Sequence, residues 1–283
     1  MEVSVVMASC NPNYDLLKLA ICSVISQTYK DFELIIVDDG SKEHIEPTVR
    51  AISSDERIKV FRIQNFGLGA ALNYGVSKSH GKYIARLDDD DIMLPERLHE
   101  QVCFMEKHPE VSCAGTWHYD KFGDKFYPHR KFPILHEDIV KSLLNFRFSL
   151  AHTTLMYRRD SFDKIGGYRI PRGGQDLDFE LQLGTVGRLA NVPAYLNYYT
   201  MSVGGLGTVN PMKYKAYLFA LQDVVDRNLY PDFQRIAMSS IDKLQNIEKS
   251  PLKNIREKLR RYGLITRIKI LGKNLNNSSA SKC

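Results

Sequence analysis

Four consecutive carboxylates, Asp88 to Asp91, are the residues of this chain whose type and spacing point most directly to chemistry. They sit between an apolar run ending at Leu87 and a proline at Pro95, which leaves the segment little freedom to spread. Close carboxylates repel. A divalent cation removes that repulsion, and hard oxygen ligands suit Mg2+ or Mn2+. The plain alternative is a solvated acidic loop, the usual fate of a charge run. A second acidic pair, Asp38 and Asp39, precedes Gly40 and Ser41. Asp-Gly makes turns unaided. An acidic turn facing a cation at a strand's end would also frame a place for a diphosphate, whose charge the cation offsets.

Alternating elements must position these acids. Residues 3–8 form a β-branched apolar run closed by Ser9, Cys10, Asn11 and Pro12, which reads as a buried strand and a loop. Leu16, Leu17, Ala20, Ile21, Val24 and Ile25 then recur at helical spacing. The same alternation predicts strands over 33–37, 58–63, 83–87 and 111–116. Helices are expected through 45–52, over 68–79 and onward from Pro95, placed at a first helical position. Farther on, 119–134 reads as an irregular loop region and 150–157 as a strand. Gly166, Gly167 and Tyr168 read as a turn, 177–183 as a helix opened by Asp176, 195–201 as a strand, and Met212 onward as helical. Strands and helices alternating in this way predict a mainly parallel sheet. Ligands of such sheets bind at the carboxyl ends of the strands, where Ser9, Asn11, Asp38, Asp39 and Asp88 to Asp91 all fall.

The segments VSVVMASCN (3–11), SQTY (26–29), VDDGS (37–41), GLGAALN (67–73), RLDDDDI (86–92) and LPERL (94–98) together resemble the family 2 inverting glycosyltransferases of the GT-A fold. The resemblance continues through GGY (166–168) and QDLD (175–178), so it spans about residues 1 to 200 in order. It implies an α/β chain with a central, mainly parallel sheet flanked by helices. A catalytic domain is expected over 1–210, with a nucleotide-sugar half (1–118) and an acceptor half (119–210), followed by a helical, basic C-terminal segment (211–283). It also implies residue roles. Ala8, Ser9 and Asp39 match positions that hold the base and ribose, Asp39 accepting from a uracil or thymine ring N–H. Asn73 and Asp89 join the nucleotide contacts. Asp90 matches the direct ligand of Mn2+ or Mg2+, with Asp88 contacting metal or ribose, and Asp176 matches the catalytic base.

Inversion itself calls for such a base, because a carboxylate must take the proton of the attacking acceptor hydroxyl. For Asp176 the competing reading is a helix N-cap. Gln175 stands where the family often has an acid, and Glu180 and Gln182 where it often has Trp and Arg. The signature of processive synthases is therefore absent, which argues for one sugar added per encounter. Gln175 and His152 are candidate acceptor contacts, although a buried, hydrogen-bonded histidine would serve equally in a strand. A sugar-phosphate nucleotidyltransferase should carry a glycine-rich phosphate loop after its first strand, where this chain has Ala8 to Pro12. A non-catalytic scaffold on the same fold would be expected to lose carboxylates.

At 283 residues, with 43% hydrophobic and 25% charged side chains, the composition is that of a globular chain. The net charge of +6 is local. Between Lys249 and Lys273 nine basic residues face Glu257 alone, leaving the remainder slightly acidic and giving no reason to expect nucleic acid as a partner. In that tail Ile255, Leu259, Tyr262, Leu264, Ile265, Ile268 and Ile270 are interleaved with the cations, as in a segment lying on an anionic membrane surface; a solvated basic helix or a disordered tail is the alternative. Five cysteines, odd in number and without a C-x-x-C pair, fit a reducing compartment. No apolar stretch approaches a membrane span and no signal peptide is evident. The expectation is a cytoplasmic enzyme, peripheral on the inner face of the cell membrane. It would use a UDP-sugar and a saccharide acceptor, lipid-linked, in surface polysaccharide synthesis.

Overall fold

The computed structural model describes residues 1–170, 173–201 and 211–248. Strands β1 (Val3–Ser9), β2 (Phe32–Asp39), β3 (Ile58–Ile63) and β4 (Tyr83–Arg86) pair in parallel in the order β3-β2-β1-β4. β1, β2 and β4 are buried along nearly their whole length because both faces are covered, whereas the edge strand β3 carries Lys59 and Arg62 and is only partly buried. Val3, Val5, Met7, Leu34 and Ile36 point to one core with α1 (Tyr14–Ile25), α2 (Glu46–Ile52) and α4 (Arg97–Lys107). Val6, Ile35 and Val37 point to another with α3 (Leu68–Ser77).

The sheet continues through β8 (Met156–Arg158), β6 (Val111–Phe122), β9 (Arg188–Thr200) and the short β5 (Ile92–Met93). β8 runs antiparallel to both β4 and β6, whereas β6 and β9 are parallel over the longest ladder of the sheet. Helices α5 (His136–Leu144), α6 (Arg159–Ile165) and α7 (Gln175–Val186) pack on the second core. So do α8 (Pro211–Asp226) and α9 (Gln234–Glu248), through Ala220, Leu221, Val224, Ala237, Ile241 and Leu244. The expected boundary at 210/211 thus separates chain segments that share one core. Among the described residues no helix is long and apolar enough to cross a membrane, and Cys10, Cys22, Cys103 and Cys113 are free. The basic tail from Lys249 lies outside the described residues.

Several expectations are corrected. Residues 119–134 are not one loop: β6 runs on to Phe122, turns at Gly123 and Asp124, and returns as β7 (Lys125–Pro128). Gly123, at φ +54°, supplies the left-handed conformation that a two-residue hairpin turn needs. Residues 150–157 are not one strand either. His152–Thr154 is a 3-10 turn, because the Thr154 hydroxyl donates to the Ala151 carbonyl (2.8 Å) and accepts from the Thr116 N–H (3.0 Å), offering the backbone a local alternative to the ladder. Helix α4 begins at Arg97, and the Pro95 carbonyl instead accepts from the Thr28 N–H and hydroxyl.

Candidate active site

The strand order reverses direction between β1 and β4, and at such a point the strand ends open a crevice. Ser9, at the end of β1, donates its hydroxyl to Asp89 across that crevice at 2.6 Å. On the next strand Asp38 and Asp39 divide the work of the acidic turn. Asp38 forms the turn, accepting from the Ser41 N–H (2.8 Å) and pairing with Arg62 (2.7 Å). Asp39 reaches the chain before α3, its two oxygens accepting from the N–H groups of Phe66 (2.8 Å) and Gly67 (2.9 Å). Gly40 is required between them and the neighbouring loop: its φ is +73°, and a Cβ there would lie 2.7 Å from the Asn65 nitrogen.

Asp88 to Asp91 follow β4. Oxygens of Asp88, Asp90 and Asp91 lie within 4.8 Å of one another. Asp88 pairs with the guanidinium of Arg86, itself 2% exposed, and its N–H donates to Thr153 (3.1 Å). Asp91 is fully buried. One of its oxygens accepts from the Thr200 N–H at 2.7 Å, and the other, Oδ2, has no hydrogen-bond partner. Burial, then the charge of Asp88 and Asp89, pushes the Asp90 carboxyl up to about 7. Burial and the same neighbourhood hold Asp89 above its usual range and Asp91 well above it. Arg97, also buried, donates to Gln101 (3.0 Å), Asn197 (3.2 Å) and the Arg86 carbonyl (2.7 Å). Crowding raises the cost of ionising these acids together, and a bound divalent cation would remove that cost. Together with the orphaned Asp91 oxygen and an all-oxygen donor set, this fits Mg2+ or Mn2+.

The 3-10 turn at His152–Thr154 joins this acidic cluster to a second group of polar residues. His152, next to Thr153, pairs through Nε2 with the Tyr168 hydroxyl (2.9 Å). Burial, then the nearby Arg86 charge, holds its imidazole well below the ordinary range and therefore neutral. His152, Asp176 and Glu180 line one cleft with Leu143, Phe148 and Tyr217. Asp176 does not cap its helix: the N-cap of α7 is Gly174, with no side-chain cap, and Asp176 lies in the first turn, where the helix dipole favours its negative charge. Asp176 Oδ1 and Gln175 Oε1 are buried without a hydrogen-bond partner.

Asn73, expected among the nucleotide contacts, has its amide committed elsewhere. Its Nδ2 donates to the Tyr168 carbonyl (2.9 Å) and its Oδ1 accepts from the Tyr168 N–H (2.8 Å). Ala8 is only partly buried, next to Ser9 at the β1 end. Sequence reasoning counted Asp91 in the acidic run but singled out only Asp88 and Asp90 as ligands, and it missed Thr153 and Thr200. Asp91 was legible from the run itself. The others reach the site only through contacts across the sheet.

The reversed sheet order with an acidic cluster at its switch point is that of an open α/β sheet with a ligand crevice, and the comparisons assign it to the GT-A fold. The model of Glycosyl transferase family 2 matches residues 4–166. The O-antigen biosynthesis glycosyltransferase WbnJ of Escherichia coli is 33% identical over 185 residues, 64% of this chain and 71% of WbnJ. An uncharacterized glycosyltransferase of Rickettsia conorii is 26% identical over 269 residues, 89% of this chain but only 44% of that relative, so the chain spans less than half of it. In three dimensions, S. aureus TarS 1-349 in complex with UDP-GlcNAc superposes with a TM-score of 0.70 at 17% identity, covering 93% of this chain and 80% of TarS 1-349. The chain belongs to glycosyl transferase family 2.

Proposed function

We propose that this chain transfers one sugar, with inversion, from a UDP-sugar to a saccharide acceptor in surface polysaccharide synthesis. The observation that carries the reading is the pairing of two sites through one turn. Three clustered carboxylates, one with an orphaned buried oxygen, lie at the sheet's switch point, and the His152–Thr154 turn connects them to the cleft of Asp176. The bound nucleotide sugar of TarS and the O-antigen role in the name of WbnJ support the donor class and the pathway class.

In this reading Ala8, Ser9 and Asp39 hold uracil and ribose. Each Asp39 oxygen accepts one backbone N–H and keeps a further lone pair for the ring N–H. Asp90, with Asp88 and Asp91, would hold Mg2+ or Mn2+, which when bound supplies positive charge to the departing diphosphate. Asp89, anchored by Ser9, fixes the loop between them. Asp176, which lines the cleft and whose Oδ1 makes no hydrogen bond, takes the proton of the acceptor hydroxyl. Gln175 and His152 orient the acceptor, His152 as a neutral hydrogen-bonding group. The nucleotide-sugar half is 1–118 and the acceptor half 119–210, with 211–283 as the C-terminal segment. The basic tail holds the enzyme at the cytoplasmic face, beside a lipid-linked acceptor.

Calorimetric titration of UDP with and without Mn2+, on wild type and Asp90→Asn, tests the assignment. The variant should keep its fold and lose the Mn2+-dependent part of UDP binding. A titration unchanged by the substitution overturns the reading of the acidic cluster.

A further inference from the structure

A second group of metal-competent side chains lies on the far part of the sheet. His118 and Asp120 project from the same face of β6, two residues apart, and His129 folds back onto them just after β7, its N–H donating to the His118 carbonyl at 3.0 Å. The β6–β9 ladder slips on either side of Trp117, an irregularity of the kind that re-aims a side chain. His118 Nε2 lies 3.3 Å from one Asp120 oxygen and His129 Nδ1 lies 3.1 Å from the other. The two histidines are 4% and 6% exposed, and neither ring nitrogen of His118 has a hydrogen-bond partner. A buried imidazole with both nitrogens unmatched, its edge turned toward a carboxylate and a second imidazole, is an unfinished coordination shell unless something else completes it.

We propose that His118, Asp120 and His129 form a transition-metal site, suited to Zn2+ and separate from the Asp88–Asp91 cluster. Two imidazoles and one carboxylate favour Zn2+ and its neighbours, whereas an all-carboxylate set favours Mg2+ or Mn2+. Zn2+ bonds to nitrogen and oxygen are about 2.0–2.2 Å, so tetrahedral ligand atoms stand roughly 3.3 Å apart. The two separations of 3.3 and 3.1 Å already match. The imidazole rings stack with centroids 4.4 Å apart and planes at 12°, presenting nitrogens to the same carboxylate. Drawing both onto one ion takes a rotation about χ2, a torsion that is broad and soft in histidine.

The site ties β7 to β6. Tyr199, whose ring is 5.4 Å from that of His118, precedes Thr200, which donates its N–H to Asp91. An occupied site therefore stiffens the hairpin at the rim of the donor crevice.

The test uses the full chain, stripped of metal with chelator and titrated with Co2+ in the visible range and with Zn2+ by calorimetry. Wild type should bind one equivalent with the intense bands of tetrahedral Co2+ and without a thiolate charge-transfer band. Asp90→Asn should retain that equivalent. His118→Gln and His129→Gln should each weaken Zn2+ by at least about 100-fold, more than loss of a supporting hydrogen bond around a ligand costs. Asp120→Asn, which keeps its shape, gives the same reading should a histidine variant misfold. Octahedral Co2+ absorption alone in wild type, with no tetrahedral bands, a thiolate band, loss of the tetrahedral bands in Asp90→Asn, or unchanged Zn2+ affinity in folded His118, Asp120 and His129 variants would each overturn the proposal.

Discussion

Replacing Glu180 with Gln should make the protein more stable at neutral pH, by a margin that grows with pH. Glu180 lies one turn after Asp176 on α7 and is 3% exposed, and burial, then the charge of Asp176, holds its carboxyl well above the ordinary value of 4.5. In the unfolded chain the group ionises near 4.5, while in the folded chain it keeps its proton. Between those two values the native state binds the extra proton, so stability falls as pH rises and levels off only above the folded value. Each pH unit in that window costs about 1.4 kcal/mol. Above the ordinary carboxylate range wild type therefore loses stability with rising pH that Glu180→Gln does not lose. Gln has nearly the same shape and cannot ionise. The measurement is urea unfolding of both proteins at a series of pH values, read as the difference in free energy. Two stability curves that stay parallel would show that Glu180 is ionised in the folded state and that water or a neighbouring donor reaches it.

Other substitutions follow from contacts described above. Asn73→Ala removes two hydrogen bonds to Tyr168 and leaves its backbone groups unmatched, and should cost about 2–4 kcal/mol in urea unfolding; a loss below about 0.5 kcal/mol would mean that water replaces the amide. Asp176→Asn keeps the shape of α7 but cannot take a proton. Sugar transfer should fall roughly 10²- to 10⁴-fold with UDP affinity retained, and near-normal turnover would remove Asp176 from the chemistry. Truncation before Lys249 should abolish salt-sensitive sedimentation with anionic vesicles yet spare UDP binding, since attraction is worth about 1 kcal/mol per cation near the surface; a truncated protein that still sediments at low salt locates the membrane contact elsewhere.

The first half of the fold was legible because β1 and β2 are buried on both faces and the edge strand β3 still carries Ile58, Val60, Phe61 and Ile63. Residues 3–8, 33–37 and 58–63 read as apolar runs, and they fall within a residue or two of β1, β2 and β3. The second half was not legible in the same way. β6 beyond Thr116 is half-exposed and aromatic, so its pattern resembles a loop until β7 is seen to pair with it. The 150–157 segment has the composition of a strand, and only the Thr154 hydroxyl, bonding at short range, turns its first part away from the ladder. The two weak signals had an ordinary cause: periodicity reports burial on a regular face, and these segments lack one.

What remained hidden in the site is a matter of sequence distance. The acidic run could be read as a metal site from its own composition, but its restraints come from Ser9, Thr153 and Thr200, 80, 65 and 109 residues from their partners in the run. The same holds on the acceptor side, where Asn73 grips Tyr168 across 95 residues and Tyr168 in turn holds His152. Gly167 sits at the close point of that contact: its φ is +75°, and a Cβ would fall 2.6 Å from the Asn73 Oδ1. The glycine pair was read as a turn, which it is, but its absence of side chains also lets the Asn73 amide approach the backbone of Tyr168. The 152–154 turn therefore has two anchors, Thr153 on the Asp88 N–H and His152 on the Tyr168 hydroxyl, so the acidic cluster and the Asp176 cleft are held through one short segment rather than through the sheet alone. Carboxylates of opposite duty, one set binding charge and one accepting a proton, are kept apart by the neutral His152, which the sequence reading named, and by Thr153 and Thr154, which no local pattern singles out.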